Sequence, residues 1–273
     1  MIAGVEPTVS PMEALCDDLA AEHADLDRIV GDGARLREAT PAAGWTVGDQ
    51  ISHLWFFDQR ALMALTDPEA FAADAVHLQA SMAATGGTDL SAEAGRALPP
   101  GELLDNWRTD REALLDHARG VDPRARVPWY GPAMSARSFI TARLMETWAH
   151  GQDVVDALGA ERTPTDRLRH VAHIGVGARP FSYAANGRTR PDAEIRVELG
   201  APSGATWTWG PEDAVNRVTG PALDFCLLVT QRRHRDDVAV AAHGAAADEW
   251  LDLAQAFAGP PGTGRAPGQF ATT

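Results

Sequence analysis

The stretch RLMETWAHGQDVVDALG, residues 143–159, decides how the rest of the chain is read. Its Leu, Met, Trp and Val residues mark a helix that packs. Yet Glu146, His150 and Asp153 stand in it at i, i+4 and i+7, the spacing that stacks side chains on one helical face. At about 100° per residue, with Glu146 at zero, His150 falls near about 40°, Asp153 near about 340° and Ala157 near about 20°. Leu144, Trp148 and Val155 fall at roughly 160° to 200°, on the opposite side, while Ala142 and Ala149 edge the polar face with small side chains. A solvated face would mix Lys, Arg and Glu and would have no reason to keep its borders small. A polar floor beneath a cavity would look like this. On the residues alone the other reading also stands: a Glu–His pair at i, i+4 on the surface, stabilising the helix by a few tenths of a kcal/mol, beside a solvated Asp153.

A third ligand would favour the site, because imidazole and carboxylate side chains from two helices converge naturally inside a bundle. The candidate is His53, in WTVGDQISHLWFF, where a histidine interrupts a strongly apolar helical run. A lone histidine there can equally be a satisfied core residue.

Working outward, residues 9 to about 158 read as helical. SPMEALCDDLAAEHADLDRIV opens with Ser10 and Pro11 as cap and first-turn signals. TVGDQISHLWFFDQRALMAL opens with Thr46 and Asp49, a capping-box-like pair in which Asp replaces the usual Glu or Gln. Two further amphipathic pieces are expected between DPEAFAAD and residue 120, before the proline- and glycine-rich loop VDPRARVPWYGPAMSARS. Long helices without a strand pattern predict a helix bundle. After Gly159 the pattern changes. TPTDRLRHVAHIGVGARPFSY still reads as helix, but AEIRVEL, TWTW, EDAVNRVTG and DDVAVAAHG read as strands, and GPALDFCLLVTQRR and AADEWLDLAQAFAG as helices. The expected class is α+β, with a helical domain over residues 1–160, a small α+β domain over 161–258 and a loose tail over 259–273.

Composition narrows the chemistry. The formal charge of −14 argues against nucleic acid as the main partner. No apolar run approaches the roughly 20 residues of a membrane span, and the start shows no basic segment followed by an apolar one, so no signal peptide is expected. Cys16 and Cys226 lie outside any C-x-x-C pattern and read as buried free thiols of a cytoplasmic protein. The chain has no lysine, which excludes Schiff-base chemistry, pyridoxal phosphate attachment and a P-loop lysine. In the tail, GPPGTGRA has Arg265 and Ala266 where a P-loop needs Lys and Ser or Thr, so no nucleotide site is expected.

W-T-V-x-D-x-x-x-H-L near residue 50, with E-x-x-x-H-x-x-D about a hundred residues later, resembles the DinB-like four-helix-bundle metalloproteins. More closely, it resembles the mycothiol-dependent maleylpyruvate isomerase family, which joins such a bundle to a small α+β domain similar to sterol carrier proteins. The resemblance implies His53, Glu146 and His150 as metal ligands, with Asp153 in support. It also implies an arginine at the end of a second-domain helix that holds a carboxylate. Arg232 is the nearest match, although Gln231 stands where the family often has glycine.

Two imidazoles and a carboxylate with an open position suit zinc, with iron or nickel as alternatives. A coordinated thiol is deprotonated outright, so the implied activity is that of a mycothiol transferase or isomerase. The thiolate adds to an electrophilic carbon of a small substrate, and rotation followed by elimination isomerises a cis alkene. Neither cysteine belongs to the matched motifs, so mycothiol would be an external cosubstrate. The arginines point weakly to a carboxylated electrophile. A metal hydrolase and a non-catalytic ligand-binding protein remain alternatives. Trp55, Phe56, Phe57 and Trp129 are candidates to line an apolar pocket, or else core.

Overall fold

Helix boundaries follow the capping chemistry of the sequence. In this computed structural model, which describes residues 10–84 and 89–270, α1 spans Pro11–Val30. Pro11 stands in its first turn, and Ser10 and Glu13 cap each other reciprocally. α2 spans Val47–Thr66 and starts on the Thr46–Asp49 capping box. α3 (Pro68–Ala84), α4 (Leu90–Arg96) and α5 (Pro100–Arg119) follow. Three helices thus occupy a stretch that the sequence pattern divides into two. The extra one forms because the Asp89 side chain accepts from the Ser91 N–H and starts a short separate helix. The loop after α5 holds a two-residue antiparallel pair, β1 (Arg126–Val127) and β2 (Met134–Ser135), too short for alternation to announce it. α6 (Ala136–Leu158) is the helix of the opening stretch, and Gly159 ends it in the left-handed conformation at φ 60°.

The long helices pack in a ring: α2 on α5 and α6, and α1 on α6 and α5. Leu26, Ile51, Leu54, Leu104, Trp107 and Val154 form the centre of the core. The apolar stripe of α6, Leu144, Trp148 and Val155, is buried as its helical angles predict. A buried ion pair joins α2 to α6. The Arg143 guanidinium donates to Asp58 Oδ1 from Nη2 at 2.8 Å and from Nε at 3.1 Å.

The chain divides into compact units between Ala160 and Glu161. The second begins with α7 (Leu168–Gly177) and α8 (Arg179–Ala185). It continues through β3 (Ile195–Gly200), β4 (Thr206–Trp209), β5 (Asn216–Pro221), α9 (Ala222–Val229), β6 (Ala241–His243) and α10 (Ala245–Leu253). The sheet order is β4-β3-β5-β6, with β3 and β5 parallel and the other pairs antiparallel. Ile195, Val197 and Leu199 are buried, as the alternation predicts. β6 is shorter than DDVAVAAHG suggests, because His234 caps a 3₁₀ turn at Arg235–Asp237 instead. Helices in the first unit, and a mixed sheet with helices in the second, make the chain α+β.

α9 closes with a Schellman turn: the Arg232 N–H bonds the Leu227 carbonyl and the Gln231 N–H bonds the Leu228 carbonyl. Gln231 sits in it at φ 59°, the one non-glycine residue with positive φ among the described residues. Among the described residues from 259 to 270 there is neither helix nor strand, and the Gly268 N–H bonds the Asp237 carboxylate at 2.8 Å. The first nine residues, which bear most on the leader reading, and the last three of the tail lie outside the described residues. No described helix is long and apolar enough to cross a membrane.

Candidate metal centre

The α2–α6 contact brings His53 onto the polar face of α6. His150 Nε2 lies 3.3 Å from Glu146 Oε2, and His53 Nε2 lies 3.9 Å from the same oxygen. The two imidazole centroids are 4.2 Å apart. One ligand atom from each of His53, Glu146 and His150 fits within a cluster 4.8 Å across. Their side chains are 16%, 23% and 13% exposed respectively, so the cluster is neither sealed in the core nor open like a surface ion pair.

The other ring nitrogens are engaged elsewhere. His53 Nδ1 lies 2.8 Å from Ser91 Oγ, and the Ser91 hydroxyl donates to Asp89 Oδ1. His150 Nδ1 lies 2.5 Å from Gln50 Oε1, and Gln50 Nε2 donates to Thr40 Oγ1 at 3.1 Å. Trp45 stacks on the His150 ring at 5.9 Å and 20° and lies 5.3 Å from the His53 ring. Phe57 packs 4.7 Å from His53 on centroids and continues to Trp129 and Tyr130. Burial pushes the Tyr130 hydroxyl up to about 12, so it is a neutral donor at neutral pH.

The four aromatic candidates therefore divide. Phe57 and Trp129 belong to the aromatic run that reaches His53. Trp55 turns its Nε1–H to Asp110 at 2.6 Å, and Phe56 lies under the Arg60 guanidinium at 3.4 Å.

Asp153 is buried, one turn beyond His150 on α6. Arg232 belongs to the other unit, where its Nη1 donates to the Thr230 carbonyl at 2.7 Å. Cys16 and Cys226 are free thiols, both buried, and burial raises the pKa of each. Neither is poised to act as a nucleophile.

Trp45, Gln50, Asp89 and Ser91 were not legible as part of this cluster. Gln50 stands three residues before His53, on the same helical face, and that spacing was an available signal. Ser91 and Asp89 are 38 and 36 residues further along the chain, and no periodicity connects them to His53.

Comparison with known proteins identifies the family of the chain. The family model described as mycothiol maleylpyruvate isomerase N-terminal domain matches residues 19–155, a range that contains the whole cluster. A second family model, described as wyosine base formation, matches residues 191–243. Sequences from two Mycobacterium tuberculosis strains, both described as uncharacterized proteins, are 49% identical over 252 residues, covering 91% of this chain and 96% of theirs. The crystal structure of a mycothiol-dependent maleylpyruvate isomerase aligns with a TM-score of 0.55 and 18% identity, over 85% of this chain and 93% of that one. A histidine-to-alanine variant of that enzyme gives the same values. At this identity the structural likeness is one of fold.

Proposed function

Because the chain belongs to the mycothiol maleylpyruvate isomerase N-terminal domain family, we propose that it is a metal-dependent mycothiol isomerase or S-transferase. Its ligands are His53, Glu146 and His150. The observation that carries this reading is the convergence of His53 Nε2 and His150 Nε2 on Glu146 Oε2, with both Nδ1 atoms bonded on the outer side. Two imidazole nitrogens and a carboxylate oxygen are a donor set that fits zinc with a position left open, and iron(II) or nickel(II) as alternatives. A cation held by these three residues would supply Lewis acidity, which favours the thiolate form of a thiol at neutral pH.

The chain's own residues do the rest. Trp45 and Phe57 wall the cluster and restrict water around it. Asp153, buried on the ligand helix one turn beyond His150, is assigned a supporting electrostatic role, since Gln50 takes the outer nitrogen of His150. The thiol comes from outside, since both cysteines are buried. Arg232, in the second unit, aligns with the carboxylate-holding arginine that the family resemblance implies, and we assign it the binding of a carboxylate. The left-handed φ of Gln231 supports that alignment, because it is the conformation for which a glycine is suited. The substrate is a small electrophile. Maleylpyruvate, the substrate named for the aligned isomerase, is the first to assay.

The test is metal content after zinc loading, in the wild type and in His150→Ala, followed by mycothiol-dependent turnover of maleylpyruvate. About one zinc per chain in the wild type, lost in the variant with its circular dichroism unchanged, is the expected result. A wild-type protein that takes up no zinc overturns the reading.

A further inference from the structure

The two imidazoles of the cluster are held by chains of hydrogen bonds whose directions can be worked out link by link. Behind His150, the Thr40 hydroxyl lies 3.0 Å from the Trp45 carbonyl, which can only accept. Thr40 Oγ1 therefore gives its proton to Trp45 and accepts the Gln50 Nε2–H. That orientation of the amide turns Gln50 Oε1, an acceptor, toward His150 Nδ1. The proton of the neutral ring must then sit on Nδ1, and Nε2 carries the lone pair toward Glu146.

Behind His53 the same conclusion follows by another route. The Ser91 hydroxyl donates to the Asp89 carboxylate, which only accepts. Ser91 Oγ is thereby an acceptor for His53 Nδ1–H, and His53 Nε2 faces Glu146 as a lone-pair donor.

We propose that Gln50 and Ser91 are positioning residues that impose the Nδ1–H tautomer on His150 and His53, presenting both Nε2 atoms to one cation. The significance of the assignment for catalysis rests on the metal reading above; the tautomers themselves do not. The two supports are unlike. The chain behind His150 ends on a neutral backbone carbonyl, and the chain behind His53 ends on a carboxylate. Each can be cut without disturbing its helix. Gln50 is a buried residue in the middle of the first turns of α2, where Leu fits a similar volume. Ser91 bonds Asp89 through its backbone N–H as well, so Ser91→Ala keeps the cap of α4 and loses only the hydroxyl link.

The experiment records imidazole tautomers by ¹⁵N–¹H correlation in the full-length, metal-free protein at alkaline pH. It also measures zinc affinity by competition with a chelator. In the wild type both rings should show Nδ1–H with a bare Nε2. Gln50→Leu should change the pattern of His150 alone, and Ser91→Ala that of His53 alone. Each should weaken zinc binding by about 10- to 100-fold. Gln50→Glu, which still accepts from Nδ1–H, should keep the His150 pattern and recover the affinity lost in Gln50→Leu.

A wild-type ring with its proton on Nε2, or a Gln50→Leu protein whose His150 pattern is unchanged, overturns the proposal even if zinc binds. Both tautomers as stated in a protein that takes no zinc support the positioning roles and overturn the metal reading instead.

Discussion

Replacing Arg143 with Met tests what holds α2 and α6 in register. Arg143 lies three residues before Glu146 on α6, and Asp58 five residues after His53 on α2. Their side chains are 4% and 0% exposed. The guanidinium donates twice to Asp58 Oδ1, and Nη2 also reaches the Leu54 carbonyl at 3.4 Å. Asp58 Oδ2 makes no hydrogen bond among the described residues, and His23 Nε2 lies 4.0 Å from it. Without Arg143 the carboxylate is therefore buried with no compensating donor, a situation that costs about 3–5 kcal/mol. Burial already raises the Asp58 pKa against the lowering effect of Arg143. Removing the arginine raises it further, and proton uptake by the carboxyl moves the loss toward the lower end of that range.

Urea unfolding at neutral pH reads this loss directly. Because the folded pKa of Asp58 is raised above its unfolded value, the variant's stability should be restored as pH falls toward the unfolded value and lost as pH rises through the folded one. Arg143→Met combined with Asp58→Leu exchanges the pair for apolar groups and should come within about 1 kcal/mol of the wild type. A single variant less than about 1 kcal/mol below the wild type, or a double variant no better than the single, would refute the reasoning.

Two further outcomes follow from buried or strained positions. Burial, together with Arg111 and Arg143, lowers the His23 pKa well below its ordinary 6.5. The ring thus stays neutral in the folded state while the unfolded chain takes up a proton. Stability present above pH 6.5 should be lost on acidification, with a slope of up to about 1.4 kcal/mol per pH unit from this group. His23→Gln should flatten the acid side by one proton's worth, and equal slopes would show that His23 does not titrate on unfolding. Gln231→Gly relieves a side chain from the left-handed region and should raise stability by about 0.5–1 kcal/mol. Thermal denaturation checks this, and a lowered midpoint would mean that the Gln231 side chain matters more than its strain.

Where local chemistry is sufficient, the chain could be read ahead of its structure. Ser10 and Thr46 start helices because capping is settled within four residues. Leu144, Trp148 and Val155 are buried because a helix in a packed protein has only one side to bury. Ile195, Val197 and Leu199 announce a strand by alternation alone. The extra helix α4 was not readable, because one aspartate cap inside a polar linker carries little periodic signal. β6 was overestimated, because its pairing depends on β5 rather than on its own composition.

For the site, spacing within α6 was enough to single out Glu146 and His150 as a pair, since 3.6 residues per turn place them on one face whatever surrounds them. Only the tertiary structure could decide that His53 meets them, and that Ser91 and Gln50 stand behind the two rings. Those contacts join residues tens to a hundred positions apart. They exist because helix packing brings the side chains within hydrogen-bond reach, and no local pattern in the chain encodes that approach.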